Sequence, residues 1–193
     1  MDKFLVNGPC RVKGYVNIQG SKNAALPILA STILFDKPVI IKNLPRVKDI
    51  DTMLNLLKSL GLKIQLPDNK RTVRILSKKK LKFLAPYSLV KTMRAGILVL
   101  GPMISKYHKS ITSLPGGCLI GARPVNYHLN ALKKLGMKYE IKKGYIHASS
   151  NGKLKGTKIK FSKISVGATE NSIIAACLAN GKTILENCAI EPE

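Results

Sequence analysis

With 193 residues, 45% of them hydrophobic, the chain is long enough to bury a core and too apolar for a disordered tail. The longest apolar runs, 24–35 and 95–104, fall short of the roughly 20 residues that cross a bilayer, and the N-terminus MDKFLVNGPCRVK has neither an apolar signal core nor a small-residue cleavage site, so no membrane partner and a cytoplasmic location are expected. A formal charge of +23 suggests a polyanion, but only six of the 33 basic residues are arginine, aromatics are 5% and Trp is absent; a lysine-biased surface fits better than a specific nucleic-acid footprint.

In chain order, an Ala-rich helix is predicted over 23–34 (NAALPILASTIL), followed by a β-rich run at 39–46 (VIIKNLPR) that closes on a Pro turn. An amphipathic helix over 50–60 comes next, with apolar residues at 53, 56, 57 and 60, stopped by Gly61 as a C-terminal cap. Strands at 62–66 and 72–76 then read as a hairpin. The same grammar returns about 70 residues later: a helix over 92–104, a strand run at 110–117 (SITSLPGG), a helix over 124–135 stopped by Gly136, and a hairpin of 138–142 with 145–149. A third copy begins with a helix over 168–179 and a run at 183–190 (TILENCAI), and ends before its second helix. The unit is helix, strand, helix, strand, strand, written twice in full and once in part. The final Glu-Pro-Glu reads as a turn entering a helix, so a fragment of a longer repeat protein is expected.

Three strand-to-helix turns carry the candidate chemistry. In GSKNAALP at 20–27, Lys22 and Asn23 sit on a Gly-Ser turn at a helix start, a place that suits phosphate or carboxylate without the pattern of a P-loop. In SKISVGAT at 162–169, Lys163, Ser165, Gly167 and Thr169 form a related turn. Repeat symmetry would gather these helix N-termini at one end.

The third turn, SLPGGCLIGARP at 113–124, places Cys118 after two glycines and Arg123 before Pro124. Arginine grips an anion by a two-point fork; an arginine capping a carbonyl is the alternative. For Cys118 a tuned thiol and a small loop hydrophobe are both open. Arg94 stands in an apolar helix start and calls for an anionic partner. The four cysteines show no metal or disulfide spacing, and Cys177 and Cys188 read as core residues.

GSKNAALPIL at 20–29, APYSLVKTMRAGILVLGP at 85–102, LPGGCLIGARPVNYH at 114–128 and SVGAT at 165–169 together resemble the enolpyruvyl transferase family, in its branch acting on UDP-N-acetylglucosamine. The resemblance runs through the whole chain in order. It implies an α/β (α+β) fold, the inverted enolpyruvyl transferase fold of two globes built from βαβαββ repeats, here incomplete. Residues 1–21 would be a crossover segment belonging to a missing second globe. Residues 22–193 would be the first globe, with repeats at about 22–89, 90–163 and a truncated 164–193.

The implied reaction moves the enolpyruvyl group of phosphoenolpyruvate to the 3′-hydroxyl of UDP-N-acetylglucosamine with release of phosphate, the first committed step of peptidoglycan synthesis, without cofactor or metal. By motif, Cys118 would be the proton donor, with Lys22 and Arg123 also catalytic. Substrate would be bound by Lys22, Asn23, Arg94, Arg123, Pro124, Val125, Asn126, Tyr127, His128, Lys163, Ile164, Ser165 and Val166. Asn126 departs from the Asp common in the family, and the aspartate general base would lie in the missing half, so a separate chain supplying the second globe is a candidate partner. Two alternatives stay open: an RNA-binding or RNA-end-processing protein on the same repeat fold, and a non-catalytic remnant.

Overall fold

Ser21 opens the first helix by accepting a hydrogen bond from the amide of Ala24 at 3.3 Å, and Ser165 does the same for a later helix through Ala168 at 3.4 Å. In the computed structural model, which describes residues 3–67, 71–76, 80–116 and 125–192, the elements are α1 (Lys22–Ser31), β1 (Val39–Ile41), α2 (Lys48–Leu60), β2 (Lys63–Gln65), β3 (Val73–Leu76), β4 (Leu84–Ala85) and α3 (Tyr87–Val90). They continue with α4 (Leu100–Tyr107), β5 (Lys109–Ser113), α5 (Asn126–Lys134), β6 (Met137–Lys142), β7 (Tyr145–Ser150), β8 (Lys158–Lys160), α6 (Val166–Ala176) and β9 (Ile184–Glu186). Short 3-10 turns, Thr32–Leu34 and Arg94–Val99, extend α1 and precede α4.

The predicted helices are present, with the 92–104 stretch divided between the 3-10 turn and α4. Gly61 and Gly136 take left-handed backbone, φ 104° and 106°, where a side chain would be strained. Gly61 and Leu62 return their amides to Lys58 and Leu57 at 2.9 and 3.1 Å, closing α2.

Three sheets follow the repeats: β1-β3-β2, β4-β5-β7-β6 and β8-β9. Both predicted hairpins are antiparallel pairs, β2 with β3 and β6 with β7. The pattern reading of helix, strand, helix, strand, strand omitted the strand that leads each later repeat, which the βαβαββ unit implied by the resemblance includes. β4 runs parallel to β5, and β8 runs parallel to β9, each joined through helix. At two and three residues these strands are too short to show an alternating pattern.

The small-residue helices lie innermost, α4 packing on α6, while α2 covers α1 and α5 covers α6. One apolar cluster gathers around Leu29, Met53, Leu57, Val73 and Met103, a second around Leu100, Ile104, Leu132, Ile146 and Ala175. Residues 3–19 contribute to neither: all are exposed, with Phe4, Tyr15, Val16 and Ile18 facing solvent.

Candidate functional site

The helix N-termini do converge. A cavity of about 840 Å³, within the range of small-molecule sites, is lined by Asn23 and Pro27 of α1, Arg94 of the 3-10 turn, Tyr127 and His128 of α5, and residues 163–167 leading into α6. Oriented N–H groups at such termini favour anions, and Arg94 and Lys163 add positive charge. Glu170 and Glu191 also line it, so the field is mixed.

Local sequence explains how each wall is placed. Gly20 lets the chain pass against the carbonyl of Asn43, where a Cβ would collide, and Gln19 Oε1 accepts from the Arg46 amide at 3.1 Å; these contacts aim α1. Pro27 has no N–H to return to Asn23, leaving that carbonyl without its helical partner at the rim of the cavity. A Cβ on Gly116 would stand 2.8 Å from the Lys91 carbonyl, so a larger residue there would force the backbone apart. Thr169 Oγ1 takes the amide of Ala189 at 3.1 Å, which tethers the segment carrying Glu191 to α6.

Of the residues selected from sequence, Asn23, Arg94, Tyr127, His128, Lys163, Ile164, Ser165 and Val166 meet at this cavity. Lys22 is not among its lining; its Nζ pairs with Asp49 of α2 at 3.2 Å, on a side chain about half exposed. Val125 packs on the second core, and Asn126 is exposed at the start of α5. Cys118, Arg123 and Pro124 lie outside the described residues. The core reading of Cys177 is corrected: at the C-terminus of α6 its side chain faces solvent, while Cys188 is half-buried against the second core. Arg94 opens the apolar 3-10 turn, is half-buried, interacts within the protein and acts on His128.

His128 is the buried titratable group of the site. Its ring is held down to about 4, first by burial and then by repulsion from the Arg94 guanidinium, so it is neutral at pH 7. Gly167 makes room for it: a Cβ there would stand 3.2 Å from Cε1. Behind the ring sits Asn171, fully buried, which the sequence reading missed. A signal existed, since asparagine in a helix interior is unfavourable unless its side chain has a task. Glu170 was missed as well; it lies one turn after Val166, on the same helix face. Among the described residues no three His, Cys, Asp or Glu side chains come together as a metal site requires.

Comparison with known proteins gives the family and the fold. Residues 6–193 match the family model of EPSP synthase (3-phosphoshikimate 1-carboxyvinyltransferase). The whole chain is 61% identical to a UDP-N-acetylglucosamine 1-carboxyvinyltransferase of Pelagibacter ubique, covering 46% of that protein. It is 54% identical to one of Hamiltonella defensa and 51% identical to one of Enterobacter cloacae, covering 46% and 45% of them. The chain thus spans about half the length of these relatives. Among solved structures, the enolpyruvyl transferase NikO of Streptomyces tendae superposes with a TM-score of 0.79 at 17% identity, over 94% of this chain and 42% of NikO. EPSP synthase of Acinetobacter baumannii superposes at 0.69 and 19% identity, over 93% of this chain and 40% of its own, a likeness of fold. The chain belongs to the EPSP synthase (3-phosphoshikimate 1-carboxyvinyltransferase) family, the enolpyruvyl transferases.

Proposed function

We propose that the chain is the first globe of a UDP-N-acetylglucosamine enolpyruvyl transferase, serving peptidoglycan synthesis in the cytoplasm. The observation that carries this reading is the convergence of eight residues, chosen by motif, on one cavity at the helix N-termini. High identity along the full chain to relatives bearing that name supports it.

In the proposed reaction the sugar 3′-oxygen adds to C2 of phosphoenolpyruvate while a proton from the Cys118 thiol goes to the methylene carbon, giving a tetrahedral intermediate. Loss of that proton and cleavage of the C–O bond to phosphate re-form the double bond. Lys22 and Arg123 would hold the anionic groups, Arg123 by its fork. Asn23, Arg94, residues 124–128 and residues 163–166 would bind the UDP-sugar. The base that takes the hydroxyl proton is assigned to the second globe, and residues 1–21 to a crossover into it. A chain carrying one wall of a closing cleft supplies part of the transition-state contacts, so turnover by it alone is not expected.

The test is phosphate release from phosphoenolpyruvate and UDP-N-acetylglucosamine, with and without a separately expressed second half taken from a relative. Release only on mixing is the expected result. Brisk release by the chain alone would overturn the division of labour, and protection by RNA rather than UDP-sugar would overturn the substrate.

A further inference from the structure

Two backbone groups fix the side-chain amide of Asn171. The Gly101 amide donates to Oδ1 at 2.9 Å, and Nδ2 donates to the Ile97 carbonyl at 3.1 Å. A peptide N–H only donates and a peptide carbonyl only accepts, so oxygen and nitrogen of this amide cannot be exchanged. The other contact of Nδ2 is His128 Nδ1, 3.2 Å away. An amide nitrogen accepts no hydrogen bond, so Nδ1 must be the acceptor and carries no proton.

We propose that Asn171 is a positioning residue that holds His128 neutral with its proton on Nε2, so that the ring presents an N–H donor at the wall of the cavity. Nδ1 faces Asn171, and Nε2, on the other side of Cε1, lies beside Gly167 of the cavity lining, whose Cβ would stand 3.2 Å from Cε1 and 3.5 Å from Nε2. Asn171 is fully buried and all its polar groups are engaged, so rotation would strand at least one of them. Gly101 is part of the device: a Cβ there would collide with Oδ1. The charged groups that line the same cavity are Arg94 from the turn before α4, Lys163 ahead of α6, Glu170 within it, and Glu191. Burial and Arg94 oppose a charged imidazole, in the same sense as the donated hydrogen bond.

An uncharged N–H donor suits an oxygen acceptor of a ligand. Identifying that oxygen with the UDP-sugar rests on the function proposed above; the tautomer does not.

The experiment is nitrogen-15 NMR of the imidazoles in the labelled 193-residue chain at pH 7, with His128 assigned by its loss in His128→Gln. The expected signature is an unprotonated Nδ1 with the proton on Nε2. In Asn171→Asp the carboxylate can only accept, and the expected result is a proton on Nδ1 with at least a tenfold rise in proton affinity. A wild-type ring protonated on Nδ1, or an unchanged His128 pattern in folded Asn171→Asp, would overturn the proposal. If the variant does not fold, the wild-type spectrum decides. The expected tautomer with no shift on adding UDP-N-acetylglucosamine to the mixed halves would count against the function and leave Asn171's role standing.

Discussion

The first and second repeats are built to one plan, and two of their differences, at a sheet edge and at a helix position, bear on function. In the second, the amide of Ile111 donates to Phe83 beside β4 at 2.7 Å, and in the third the amide of Ile184 donates to Thr157 beside β8 at 3.0 Å. The matching residue of the first repeat is Ile40 in β1, which forms the edge of its sheet with no leading strand beside it among the described residues and is 59% exposed. On the helices, aligning Gly61 with Gly136 sets Met53 of α2 against His128 of α5. Met53 is sealed in apolar core, whereas His128 occupies the same buried face and borders the cavity. One scaffold thus serves twice, once for packing alone and once for packing plus chemistry, and an imidazole in a core position is tolerated because Asn171 satisfies it.

The largest effect expected of this comparison is where the repeats agree. Leu57 and Leu132 are equivalent and both completely buried, so Leu57→Ala and Leu132→Ala should each lose about 2–5 kcal/mol in urea unfolding. A loss confined to one of them would mean that the two cores do not stabilise the chain alike.

Next comes the position where they differ. His128 titrates near 4 in the fold and near 6.5 when unfolded, so the unfolded chain binds more protons between those values. Stability from this site is complete above about pH 6.5 and falls as pH drops toward 4; about 2 kcal/mol should be gone by pH 5. His128→Met, which copies the first repeat, should abolish this component, and an equal pH dependence in variant and wild type would refute the comparison.

The smallest effect concerns the sheet edge. By hydrogen exchange the amide of Ile40 should exchange at least tenfold faster than that of Ile111, about 1.4 kcal/mol less protected. Equal protection would indicate that something already pairs with β1.

Much of this was legible in sequence because it is local. Apolar spacing drew α2 and α5, Gly61 and Gly136 stopped them, and serine N-caps opened α1 and α6, each a preference of a few neighbouring residues. The turns named Asn23, Lys163, Ser165 and Gly167 of the cavity for the same reason, whereas Tyr127, His128, Ile164 and Val166 were implied only by the family resemblance. Strand pairing, burial and the partners of buried polar groups were decided by tertiary structure. The pairing of β4 with β5 joins segments too short to show a pattern, the exposure of Cys177 depends on what does not cover the end of α6, and the pairing of Lys22 with Asp49 spans two helices. Asn171 joins three distant segments through backbone groups of Ile97 and Gly101 and the ring of His128. Such a contact has no periodicity to read, because it exists only where the chain folds back to bring its members within hydrogen-bond reach.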